Sequence, residues 1–122
     1  MYLRKTHRDL LVWQESIELV KDVYNLTRNF PRHEIYSLTS QMRRAAISIP
    51  ANIAEGAARK GRREFLHFLA ISRGSISELE THFILSSELG YIKGPNETMT
   101  KIERIFRLIS ALMDSLKKKE LS

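Results

Sequence analysis

The chain has 122 residues, 43% of them hydrophobic, with a formal net charge of +6; one sizeable core fits and two do not, so a single domain spanning 1–122 is expected. It holds no cysteine, which excludes a disulfide framework, a thiolate metal site and redox chemistry at sulfur. No apolar run approaches the ~20 residues that span a bilayer, and Arg4, Lys5, Arg8 and Asp9 interrupt the apolar region a secretory peptide needs, so a cytoplasmic protein without membrane contact is expected. The charge is uneven. Residues 34–64 carry six basic and three acidic side chains, and so do residues 101–122, whereas residues 65–100 carry two basic and four acidic. A basic balance in a domain of this size is biased towards polyanions such as RNA or DNA.

A first helix is predicted over about 9–30, with the Asp9 carboxylate as its cap and Pro31 ending it. Leu10, Trp13, Ile17, Val20 and Tyr24 make one apolar stripe; Val12, Leu19, Val23, Leu26 and Phe30 make another roughly 100° around the axis. The second helix is expected over about 34–60. Its apolar positions Ile35, Leu38, Met42, Ala45, Ile49 and Ile53 keep helical spacing through Pro50. A mid-helix proline costs about 3 kcal/mol and bends the axis, so a second helix bent at Pro50 and held by packing is expected. Gly56 reads as a softer point and Gly61 as a break.

The third helix, about 62–89, sets Phe65, Leu69, Ser72, Ser75, Ile76, Leu79, Phe83 and Ser86 on one face, where the serines admit a close neighbour. Gly90 is placed as a left-handed cap, and Gly94-Pro95 opens a fourth helix over about 95–119. That helix has a heptad stripe of Met99, Ile102, Phe106, Ile109, Met113 and Leu116, and a second stripe of Ile105, Leu108 and Leu112. No strand pattern occurs, so an all-α, antiparallel up-down-up-down four-helix bundle is expected. Two stripes on the first and fourth helices exceed one seam. They predict a homo-oligomer with Val12, Leu19, Val23, Leu26, Ile105, Leu108 and Leu112 at its interface, a broad core face within one chain being the alternative.

Few constellations carry chemistry. Glu64-Phe65-Leu66-His67 has the Glu-x-x-His spacing of di-iron bundles, but those need two such motifs and two more carboxylates, so no metal or other cofactor is expected. Arg62-x4-His67 and Arg28-x4-His33 resemble the Arg-x4-to-6-His signature of a helical ribonuclease superfamily, at the frequency chance provides. No serine has an adjacent base and no glycine-rich phosphate loop is present, so a non-enzymatic protein is expected. The basic set Arg43, Arg44, Arg59, Lys60, Arg62 and Arg63 remains as the candidate nucleic-acid surface. Against it stand internal pairs: Glu55 with Arg59 at i,i+4, and Arg43 or Arg44 with Glu78, Glu80 or Glu88 of the acidic third helix. The Lys117-Lys118-Lys119 tail suits the negative end of a helix dipole.

The run Gln41-x-Arg43-Arg44-Ala45-x-x-Ser48-Ile49-x-x-Asn52-Ile53-x-Glu55-Gly56, with Leu10 to Gln14, Phe30-Pro31, and Gly74-Ser75 through Leu89-Gly90-Tyr91-Ile92, resembles the bacterial four-helix-bundle family of large-subunit (23S) rRNA intervening sequences. The resemblance implies an antiparallel bundle assembling as a ring, commonly a pentamer. A related branch, the accessory variability protein of diversity-generating retroelements, implies a reverse transcriptase as protein partner and nucleic acid on a basic surface. Carried over, that surface is Arg43, Arg44, Arg59, Arg62 and Arg63; no enzymatic activity is implied. Fold-level likeness sets an expectation for function and no more. The leading expectation is an oligomeric protein that binds RNA or DNA, accessory to a larger nucleic-acid machine. A structural or protein-interaction module is the alternative, and a helical-bundle ribonuclease the third.

Overall fold

A computed structural model describes residues 6–94 and 96–121, with side chains through Lys118. Among these, all regular structure is helical, in four α-helices and no strand: α1 (Leu11–Thr27), α2 (Ser40–Ala58), α3 (Arg62–Glu88) and α4 (Glu97–Leu121). α2 and α3 form the most extensive pairing; α1 packs on α2 and α4, and α4 on α3, around one core. Leu19, Val23, Met42, Ile49, Ile53, Leu69, Ile76, Leu79, Ile102, Ile105 and Ile109 are at most 1% exposed. Each such burial stabilises by about 1.5–3 kcal/mol before entropy is counted.

The stripe assignment is corrected. Val12, Leu19, Val23 and Ile105, expected at a subunit interface, are at most 4% exposed within the chain's own core, and Leu26, Leu108 and Leu112 pack partly buried against it. Two stripes 100° apart are equivalent until neighbours are placed. α1 turns the Val12 stripe inward, leaving Trp13, Ile17 and Val20 half-buried and Tyr24 36% exposed. On α4 the core takes Ile102, Ile105, Ile109 and Met113, while Phe106 stays 39% exposed beneath the Arg73 guanidinium, 5.9 Å away.

The helix ends follow local chemistry. Asp9 does not cap α1: it accepts the Thr6 amide at 3.0 Å, closing a capping box around the 3₁₀ turn His7–Asp9, and α1 starts after Leu10 without a side-chain cap. The expected start of the second helix is a 3₁₀ turn (Arg32–Glu34) and a π turn (Ile35–Thr39) leading into α2. Gly90, at φ +82°, ends α3 in a Schellman motif: its amide donates to Ser87 and the Tyr91 amide to Ser86. Asn96 caps α4, its Oδ1 accepting the Thr98 amide at 2.7 Å, so helix geometry begins at Glu97; Pro95 lies outside the described residues.

α2 runs unbroken through the buried Pro50. Beside it, the Ser72 hydroxyl donates to the Ile49 carbonyl at 2.9 Å, and the Ser48 and Ser75 hydroxyls meet at 2.8 Å. Ser86 Oγ lies 3.3 Å from Met42 Sδ. Gly56 is a close-approach position, not a soft point: an added Cβ would stand 2.8 Å from the Phe68 Cβ and 3.0 Å from Phe65 Cδ1. α1 and α4 are clamped by ion pairs. Arg104 donates bidentately to Glu15 at 2.6 and 2.9 Å, and Lys101 pairs with Asp22. Tyr91 donates to Glu34 at 2.8 Å, tying the α3–α4 link to the residues before the π turn.

The hydrogen bonds from Arg104 hold the Glu15 carboxyl below its usual value against the opposing effect of burial. A depressed folded value means that the pair stabilises above the unfolded value of about 4.3 and loses that contribution as pH falls through the folded one. Arg104→Gln is therefore expected to raise the Glu15 titration midpoint in an NMR pH series and to flatten the acid-side fall in Tm. An unchanged Glu15 midpoint would refute the clamp.

Candidate nucleic-acid interface

α2 stops at Ala58 because Arg59 adopts extended backbone (φ −75°, ψ 156°), and Gly61 (φ −112°, ψ 149°) precedes the first residue of α3, Arg62. Four cations therefore fall on one tight turn. Arg59 is held: Nη2 lies 2.9 Å from Glu55, Nε 4.0 Å from Glu64, and the guanidinium 5.0 Å over the Phe68 ring. Lys60, Arg62 and Arg63 are exposed, with no carboxylate within 4.0 Å among the described residues. Arg62 and Arg63 also occupy the first turn of α3, at the positive end of its dipole. Cations there reduce helix stability by a few tenths of a kcal/mol to about 1 kcal/mol each, so helix stability does not explain them.

Arg43 and Arg44 stand elsewhere. Fifteen residues of α2 separate Arg44 from Arg59, roughly 22 Å at 1.5 Å per residue. Arg43 turns to α1, not to the acidic third helix: Nε donates to Thr27 Oγ1 at 2.9 Å and the guanidinium lies 4.5 Å over the Tyr24 ring. Arg44 is exposed and lines a polar cavity with Gln41, Ser48, Ser75 and Glu78, without an ion pair to Glu78 within 4.0 Å. The internal pairing of Glu55 with Arg59 is present; that of Arg43 or Arg44 with α3 is not. Arg28, expected only as part of the Arg28-x4-His33 spacing, and Arg32, which no expectation singled out, join Arg43 and Arg44 around one cavity. Their position astride Phe30-Pro31, where the chain reverses, was the available signal.

The histidines are dispersed. His67 is exposed, its ring edge-on to Phe68 at 5.3 Å; His7 contacts Trp13 at 5.0 Å; His33 lies 3.6 Å from Glu34. His82 is buried on α3, Nε2 3.9 Å from Glu78. Among the described residues, no group of three or more His, Asp or Glu side chains is placed to hold a metal, and no helix is long and apolar enough to cross a membrane.

Among solved structures, one from Bacteroides thetaiotaomicron VPI-5482, a protein with unknown function from the S23 ribosomal protein family, superposes with a TM-score of 0.79 at 22% identity. The match covers 85% of this chain and 96% of that one; at this identity it speaks to the fold alone. Among curated proteins none matches significantly. Residues 8–114, running from before α1 into α4, match the family model of the 23S rRNA-intervening sequence protein, and the chain belongs to that family.

Proposed function

We propose that the chain is a non-enzymatic, oligomeric bundle protein that binds RNA or DNA through the α2–α3 turn, as an accessory to a larger nucleic-acid machine such as a reverse transcriptase. The observation that carries this reading is the exposure of Lys60, Arg62 and Arg63 on one turn without carboxylate partners among the described residues, while the α1–α4 carboxylates Glu15 and Asp22 are engaged. Unpaired cations beside the amides that open a helix favour phosphate. Self-association is supported by apolar side chains the single chain leaves out: Tyr36 is 96% exposed, and Leu85 on α3 and Leu89 at its C-cap, one turn on, are 47% and 56% exposed. A pentamer is the number the family resemblance implies. An up-down-up-down order is supported by contacts that run in opposite sense on α2 and α3 (Met42 with Ser86, Ser48 with Ser75, Gly56 with Phe68), and a bend at Pro50 by its ring crowding the Ala46 carbonyl.

The test is fluorescence anisotropy with labelled single- and double-stranded oligonucleotides across a salt series. Log K is expected to fall by roughly 0.7–0.9 per phosphate contact per decade of salt, with little sequence preference. No salt-sensitive binding at low ionic strength would remove the proposal, and light scattering showing a monomer at micromolar concentration would remove the oligomer. His67→Ala is expected to leave binding and stability unchanged, since the side chain is exposed and its ring stands edge-on to the neighbouring Phe68 ring. RNA cleavage by the wild type that is lost in this variant would overturn the non-enzymatic reading.

A further inference from the structure

We infer that the cavity between the end of α1, the π turn and the first half of α2 binds a nucleoside phosphate, its phosphate held by Arg28, Arg32 and Arg44 and its base against the apolar wall of Ile35 and Ile47. The cavity measures about 460 Å³, within the roughly 300–1,000 Å³ of small-molecule clefts. Four arginines line it and, among the described residues, no Asp or Glu does. Converging like charges are unfavourable without a counter-charge, and planar guanidiniums match phosphate oxygens in pairs. Arg43 is already oriented there, its Nε on Thr27 and its face on Tyr24, leaving two terminal nitrogens to donate. Ile35 and Ile47, 44% and 43% exposed, supply an apolar surface that inorganic phosphate alone would not use.

A second, independent observation points to the same place. Thr39 lines this cavity, is 6% exposed, and its hydroxyl has no hydrogen-bond partner among the described residues. Elsewhere, the hydroxyls of Ser16, Thr27, Ser75, Thr81 and Ser86 donate to the carbonyl four residues earlier. Thr39 ends the π turn, whose wider register breaks that habit and leaves a buried donor and acceptor for an occupant.

This site is separate from the α2–α3 turn, and the experiment keeps the two apart. By calorimetry at low salt, adenosine 5′-monophosphate is expected to bind saturably and at least about tenfold tighter than adenosine, since charged hydrogen bonds carry the difference. Arg32→Gln with Arg44→Gln, both exposed, should weaken binding at least about tenfold, and Thr39→Val about threefold or more without lowering Tm. Arg62→Glu with Arg63→Glu should leave it unchanged. A 5′-phosphorylated oligonucleotide that outbinds both the monophosphate and its 5′-hydroxyl counterpart identifies a strand end as the source; parity of the two oligonucleotides identifies a free nucleotide. Equal affinity for monophosphate and adenosine, absence of saturation, or indifference to the arginine pair or to Thr39→Val would overturn the site. Should the double variant fail to fold, Arg44→Gln alone and the wild-type comparison still decide.

Discussion

Replacing Arg62 and Arg63 by glutamate is expected to abolish nucleic-acid binding while leaving helicity and assembly intact. Both side chains are exposed and touch no carboxylate among the described residues, so reversal breaks no ion pair of the fold. It also places acid at the positive end of the α3 dipole, where acid is favourable, so the variant should melt no lower than wild type. In the proposed ring, losing two phosphate contacts and gaining two repulsions at each turn would be multiplied by the number of subunits. Anisotropy and circular dichroism on the same preparation read both quantities. A variant that binds like wild type would move the interface off this turn; one that unfolds would show that the arginines are structural.

Gly56→Ala is expected to destabilise the bundle even though alanine is the better helix former. The new Cβ would meet the Phe68 Cβ at 2.8 Å, an atom fixed to the α3 backbone, so the two helices must separate along their most extensive contact. Overpacking of this kind costs about 1–3 kcal/mol, against which helix propensity returns about 1 kcal/mol. The net loss, up to about 2 kcal/mol, should lower Tm by up to roughly 8 °C. Gly74→Ala is the control with opposite sign: Gly74 is exposed in α3 with nothing within 4 Å of an added Cβ, so alanine there should stabilise by about 0.5–1 kcal/mol. Parallel thermal melts decide, and a Gly56→Ala protein as stable as wild type would mean that α2 and α3 are not in close contact there.

The site was partly legible. The Glu55–Arg59 pair could be read from i,i+4 spacing, because both partners lie on one helix and helix geometry alone brings them together. Arg43 could not: its partners Thr27 and Tyr24 come from another helix, sixteen and nineteen residues away, and charge complementarity pointed to α3 instead. The cavity with Arg28 and Arg32 was hidden for the same reason, since it exists only where the end of α1 folds over α2.

Periodicity, turn chemistry and charge by themselves determined four helices, the left-handed Gly90 cap, the small-residue face of α3 and an excess of cations on the α2–α3 turn. These are local properties, set by torsional preference and by the angle each residue takes around its own axis. Tertiary structure alone decided which of two apolar stripes on α1 became core, that Gly56 is a contact between α2 and α3, and which arginines kept their charge unpaired. The angular spacing of residues says how they lie relative to one another on a helix, but the inward direction is defined only by the neighbouring helices, and a cation's partner only by what those neighbours bring to it.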